Sequence, residues 1–239
     1  MTEAEWLSEP NFVLHVQHVE PKASARKLRL LAAGFCRAAG PILDHPELLA
    51  AVETIESYAD GAVAAAELEK ARSHARIVAV QAYEDYVRWA EGKEGERAAA
   101  NPMVRHQVAW AVAFAATTPL PVAAVGTRVG EATAQPAGAP DMLAAPVVSP
   151  EFLGTLRAVV WDAFGNPFRP VAFASKWRTD EAVALATAMY ESRDFAKMPA
   201  LADALQKAGC DSGAVLAHCR SGGPHFRGCW VLDGVLGKE

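Results

Sequence analysis

Nowhere in the 239 residues do apolar side chains run for the roughly 18 positions a membrane-spanning helix needs, so the chain carries no candidate span. Cysteine is scarce: Cys36, Cys210, Cys219 and Cys229 are the four, and no two of them have the C-x2-C spacing of a zinc knuckle. Basic residues are not in excess. With 23 Lys and Arg against 28 Asp and Glu, the net charge is −5, which argues against binding nucleic acid over the whole surface. A Walker phosphate loop, a G-x-S-x-G elbow and a dinucleotide fingerprint are all missing, which counts against the common ATPase, hydrolase and dehydrogenase classes. The first residues, Met1-Thr2-Glu3-Ala4-Glu5-Trp6, lack the basic start and apolar core of a secretory signal. The expectation is a cytoplasmic protein whose cysteines are free thiols or metal ligands.

What is present is helix. Half the residues are apolar (51%), and many are alanine, a strong helix former that needs little space, so the composition favours closely packed helices. Thr2 with Glu5 forms a capping box. Leu28, Leu31, Ala32, Phe35 and Cys36 keep helical spacing after Ser24, with Lys22, Arg26, Arg29 and Arg37 mostly on the other face. Asp44 is placed to cap a helix through Leu48, Val52 and Ile55 that stops near Gly61. A long helix follows from about Ala64 to Ala90, with Leu68, Ala71, Ala75, Val78, Ala82 and Tyr86 at apolar positions. Asn101-Pro102 opens another. Residues 118–150 then turn rich in Pro, Ala, Gly and Thr. Helices resume at Pro150, Thr179, Met198 and Ser212, and a last one runs from about Gly228 to Leu236. The segment from Asn11 to Pro21 carries Phe12, Val13, Leu14 and two histidines without a firm assignment. Alternating strands and a repeat period are both absent. The predicted fold is all-α, an irregular multi-helix bundle in two lobes: residues 1–117, a linker or long loop over 118–148, and a C-terminal module over 149–239.

The chemistry-bearing residues gather between Cys210 and Trp230, where three cysteines, two histidines and two arginines surround the turn Gly222-Gly223-Pro224. Four readings of this stretch stand side by side. In the structural one, the cysteines fill core space as small apolar groups and the glycines turn the chain. In the second, Cys210, Cys219 or His218, His225 and Cys229 supply four ligands to a metal such as zinc, although C-x8-C-x5-H-x3-C is not a known finger or ribbon spacing. In the third, Cys219 is a catalytic nucleophile, because His218-Cys219-Arg220-Ser221-Gly222-Gly223 resembles the start of the cysteine phosphatase loop. That loop needs an arginine six positions after the cysteine, where this chain has His225; Arg227 comes two residues late, and Gly228 replaces the Ser or Thr. In the fourth, Arg220, His225 and Arg227 bind an anion at the turn, or else pair with carboxylates such as Asp203 and Asp233.

Taken together, Gly165-Asn166-Pro167-Phe168-Arg169-Pro170, Leu201-Ala202-Asp203-Ala204-Leu205 with Gly209-Cys210, His218-Cys219-Arg220 and Arg227-Gly228-Cys229-Trp230 resemble a C-terminal module of a recurrent family of uncharacterised bacterial proteins. Met1 to Leu7 and Arg26 to Arg37 are similar to the N-terminal part of the same family. The resemblance covers about half the chain. It implies a recurrent domain in a bacterial cytoplasm and carries over no activity, substrate, cofactor or catalytic residue.

Two further features complete the reading. Lys22, Arg26, Lys27, Arg29 and Arg37 form a basic helix face that could meet an acidic partner, although a charge run on a helix is usually a solvated face. His15 and His18 lie three apart, as some metal ligands do, but no glutamate motif accompanies them. With amphipathic helices throughout and no complete catalytic set, the leading expectation is a non-enzymatic helical protein that binds a protein partner or acts as a scaffold. The alternative is a small metal-dependent or cysteine-dependent enzyme, or an anion-binding module, centred on residues 210–229.

Overall fold

Local signals in the chain start and stop most of its helices. A computed structural model describes residues 1–91, 101–134 and 148–238, and within them every regular element is helical. In order they are α1 (Glu3–Ser8), α2 (Phe12–Val19), α3 (Ala25–Ala38), α4 (Pro46–Ala59), α5 (Ala65–Glu91), α6 (Pro102–Ala115), α7 (Val122–Thr133), α8 (Pro150–Phe164), α9 (Asp180–Ser192), α10 (Met198–Lys207), α11 (Gly213–Arg220) and α12 (Trp230–Leu236). The capping box at Thr2 and Glu5 forms as expected, and Ser24, Asn101, Ser149, Thr179 and Ser212 each accept a backbone N–H of the first turn they precede. Asp44 does not cap α4: His45 holds the N-cap position with no side-chain bond, and Pro46 starts the helix. The unassigned segment after Asn11 is α2, capped by the Asn11 side chain.

Two apolar cores result. The larger draws on α1 to α8, including Trp6, Phe12, Leu31, Phe35, Leu48, Ile55, Val112, Val125, Leu156 and Val160. The smaller holds Trp177, Met189, Met198, Leu201, Leu205, Val215, Leu232 and all three C-terminal cysteines. The segment expected as a linker is not all loop. Within it, α7 packs against α3 and α6 and buries Val122, Val125 and Val129. Gly126 makes this packing close, because a Cβ there would stand 2.5 Å from the Phe12 ring. The rest of the expected linker, over 135–147, lies outside the described residues. The first core also extends past the expected boundary at residue 149, since α8 packs on α2 and α3.

Charge joins the two cores, and here the basic face of α3 departs from the expected solvated run. Arg26 donates from Nε to Asp60 at 2.8 Å and grips Asp233 of α12 with both terminal nitrogens at 3.0 Å. Lys27 donates to Asp233 at 2.7 Å and to the Gly228 carbonyl at 2.6 Å. Arg29 is buried and donates to the carbonyls of Ala115 and Thr117, closing the end of α6. Arg37 pairs with the buried Glu56. Arg26, Lys27 and Arg37 thus meet carboxylates of α12 and of the α4 region, and Arg29 meets carbonyls at the end of α6, where a solvated face was expected.

Candidate metal centre

Asp162 is a carboxylate in the last turn of an otherwise apolar stretch, Val159-Val160-Trp161-Asp162-Ala163-Phe164. Its side chain is 3% exposed, and burying an unpaired charge to that degree is costly, so partners are required. They come from the C-terminal module. The Nδ1–H of His225 donates to Oδ1 at 2.7 Å, and the Phe226 backbone N–H donates to Oδ2 at 2.9 Å. His218 Nε2 lies 3.2 Å from the same Oδ1 and also 3.2 Å from Cys229 Sγ. One oxygen, two imidazole nitrogens and one thiol thus fall within 4.8 Å of one another.

Each of the four is set by a different local feature. His218 projects from the last full turn of α11, started by Ser212. His225 follows Gly222-Gly223-Pro224, which brings the chain back towards α8. Cys229 is the N-cap residue of α12. The turn before it is tight against α3: Gly228 has φ +92°, and a Cβ there would stand 2.8 Å from Leu30 Cβ, so glycine alone fits. Phe226 packs beside Gly34 of α3, and the Trp230 ring packs on Gly165 at the end of α8.

The electrostatics follow from burial. Burial pushes the Asp162 carboxyl up, but hydrogen bonds and charge from His218 and His225 outweigh it and hold the group below its ordinary value. Burial, with Asp162 nearby, holds the Cys229 thiol well above its ordinary range. His225 has a second peculiarity: its side chain is 6% exposed, yet Nε2 is buried without a hydrogen-bond partner. With Nδ1 donating to Asp162, Nε2 is the ring nitrogen left without a partner.

This donor set can hold a metal ion. Tetrahedral zinc binds N, O and S ligands at about 2.0–2.3 Å, which places ligand atoms roughly 3.3–3.8 Å apart. The 4.8 Å spread needs a closure of about 1 Å, within the reach of rotamer adjustment. One cysteine, two imidazoles and one carboxylate are the borderline mixture that zinc accepts.

The residues expected from the sequence separate into groups. His225 and Cys229 come together with His218, the alternative to Cys219. Cys210 and Cys219 stay in the apolar core of the C-terminal module and do not join the cluster of four. Burial pushes the Cys219 thiol up to about 12, opposite to what an activated nucleophile needs. The helix leading into Cys219 likewise differs from the strand of the phosphatase loop. Arg220 is half-exposed and donates to Asp203 and Gln206, the structural pairing weighed above. Arg227 turns the other way, donating from Nε to the Tyr190 carbonyl at 2.7 Å. His15 faces the carbonyls of Trp6 and Asn11, and the His18 ring stacks on Phe168. Asp162 escaped the sequence reading, although a lone carboxylate on the apolar face of a helix was the available signal. Compared with known proteins, the chain matches no family model, no curated protein and no solved structure.

Proposed function

We propose that this chain is a non-enzymatic helical scaffold in which a zinc-class divalent ion, held by Asp162, His218, His225 and Cys229, fastens the C-terminal helices to the first core. The observation that carries the reading is the convergence of four donor atoms within 4.8 Å, with a single His218 nitrogen shared between a carboxylate and a thiol. A four-coordinate cation would take one lone pair from each of the four donors. Four protein ligands close a tetrahedral shell, as structural zinc sites do, whereas catalytic sites keep a position open. The placement suits a staple: Asp162 belongs to α8, and the other three ligands to the last helices. A protein partner fits the exposed apolar face of α5 formed by Ile77, Val80, Tyr83 and Val87, and a bacterial cytoplasmic setting agrees with the resemblance of the C-terminal module.

The test is elemental mass spectrometry on tag-free protein, with Cys229→Ser, His225→Ala and Cys219→Ser beside the wild type. Stoichiometric zinc in the wild type and in Cys219→Ser, lost in the other two, is the expected result. Chelation should also lower the melting temperature while most helical signal persists below it. Metal-free wild type that takes up no added zinc, and variants as stable as the parent, would reject the reading.

A further inference from the structure

Beside His225, a cavity of about 230 Å³ is lined by Arg37, Glu56, Arg193, Phe195, His225, Phe226 and Arg227. Three guanidinium groups meet one buried carboxylate there. Glu56 accepts from Arg37 Nε at 3.0 Å, from Arg37 Nη2 at 3.3 Å and from Arg193 Nε at 2.6 Å, so both its oxygens are occupied. Arg227 has no carboxylate: its Nε donates to the Tyr190 carbonyl, and its guanidinium lies 4.7 Å over the Tyr190 ring. Arg193 also pairs with the exposed Glu53 at 3.8 Å. Among the described residues, the terminal nitrogens of Arg227 have no hydrogen-bond partner. The three arginines carry two charges more than the buried Glu56 neutralises, and one more when the exposed Glu53 at Arg193 is counted.

Arg193 adds a second sign that the arrangement is specific. It caps α9 with φ +60°, a left-handed backbone that favours Gly or Asn and that no other non-glycine residue adopts among the described residues. An arginine tolerated there, with its Nε fixed on Glu56, points to a use for the side chain. Phe195 and Phe226 supply apolar walls, and a second depression of about 400 Å³, along Gly222-Gly223 and Met198, shares Phe195 and His225 with the first.

We infer that this cavity binds the phosphate group of a small phosphate monoester, with Arg227, Arg37 and Arg193 on the phosphate oxygens and the organic part against Phe195 and Phe226. Guanidinium forks match phosphate oxygens in geometry. The terminal oxygens of a phosphate monoester number three, one for each guanidinium, where a carboxylate offers two. The volume admits a phosphate with a ring-sized substituent but not a folded partner. The pocket shares the His225 ring with the proposed metal cluster, but none of the arginines that would hold the phosphate belongs to that cluster.

Isothermal titration calorimetry with phenyl phosphate, inorganic phosphate and benzoate tests this on the full chain. Saturable one-to-one binding of phenyl phosphate is expected, tighter than inorganic phosphate and far tighter than benzoate, and weakening with added salt. Arg227→Gln should lower the affinity roughly tenfold or more, Arg227→Lys should lose less, and Arg220→Gln, outside the cavity, should change nothing. Arg227→Gln breaks no contact with Glu56, and a thermal melt confirms that it folds. Absence of saturable binding, or equal effects of Arg227→Gln and Arg220→Gln, overturns the site. Phenyl phosphate binding no tighter than inorganic phosphate overturns the assignment to an ester.

Discussion

Cys36 shows how much a single buried group can say about conditions. It lies on α3 with no exposed surface, and burial pushes its thiol from the ordinary 9.0 up to about 12. In the unfolded chain the same thiol ionises near 9.0, so between that pH and about 12 the folded state holds a proton that the unfolded state has lost. Stability contributed by the neutral thiol is therefore lost as pH rises through this window, by at most about 1.4 kcal/mol per pH unit. Cys36→Ala should flatten the fall in melting temperature between pH 9 and 11 relative to wild type. An unchanged slope would mean that Cys36 ionises freely in the fold. Cys219 and Cys229 are buried as well, which makes the C-terminal cysteines poor nucleophiles as they stand; a bound cation is what would let Cys229 give up its proton.

Among the elements, α5 is the one with two different faces of apolar surface. Leu68, Ala71, Ala75, Val78, Ala82 and Tyr86 face α4 and α6 and are buried, as their spacing predicts. Ile77, Val80, Tyr83 and Val87 lie on the other side, at 51%, 54%, 47% and 39% exposure. At 100° per residue these four fall within one stripe about a third of the helix wide. Scattered apolar residues on a surface need no explanation, but a stripe of four on one helix is the face where the proposed protein partner would dock. The paired change Ile77→Lys and Val80→Lys should shift stability by less than about 0.5 kcal/mol per site, because little contact is lost. It should abolish association with any partner recovered by the wild type in a cross-linking pull-down. Equal recovery by both proteins would remove the stripe from consideration.

Over the whole molecule, the junction between the cores rests on Arg26. Burial opposes its charge, but hydrogen bonds and attraction from Asp233 and Asp60 prevail and raise its pKa above the usual arginine value. Tyr190 of α9 closes the circuit, its hydroxyl lying 2.7 Å from Arg26 and 2.8 Å from Asp60. Removing Arg26 takes the shared donor from both carboxylates, leaving Asp233 to Lys27 and Asp60 to Tyr190 and Lys238. Arg26→Ala should cost about 3 kcal/mol in urea unfolding, while Tyr190→Phe should cost about 1 kcal/mol. If Arg26→Ala left the urea midpoint unchanged, apolar packing alone would hold the cores together. The proposed metal staple acts at the same junction, so chelation and Arg26→Ala should combine to more than the sum of their separate effects if both restrain the same opening.

Helix positions were legible in the chain because their signals are local: a capping side chain lies within three residues of the N–H it accepts, and apolar spacing repeats every turn. The two exceptions are instructive. The α7 helix has no side-chain N-cap and is interrupted by Gly126 and Gly130, so its stability comes from packing on α3 and α6 and not from its own residues. The α2 helix has only eight residues, too few for periodicity to assert itself. The candidate centre was half legible. His218, His225 and Cys229 share one short stretch, whereas Asp162 stands 63 residues before His225 and looked like an ordinary helix carboxylate. The same holds for the basic residues of α3, whose spacing showed a common face but not what covers it. Sequence alone determined most of the helices and the C-terminal stretch that carries most of the chemistry, since both are properties of neighbours along the chain. Which carboxylate answers which cation or imidazole was decided only by tertiary packing, because a buried charge must find its partner in space, at any distance in sequence.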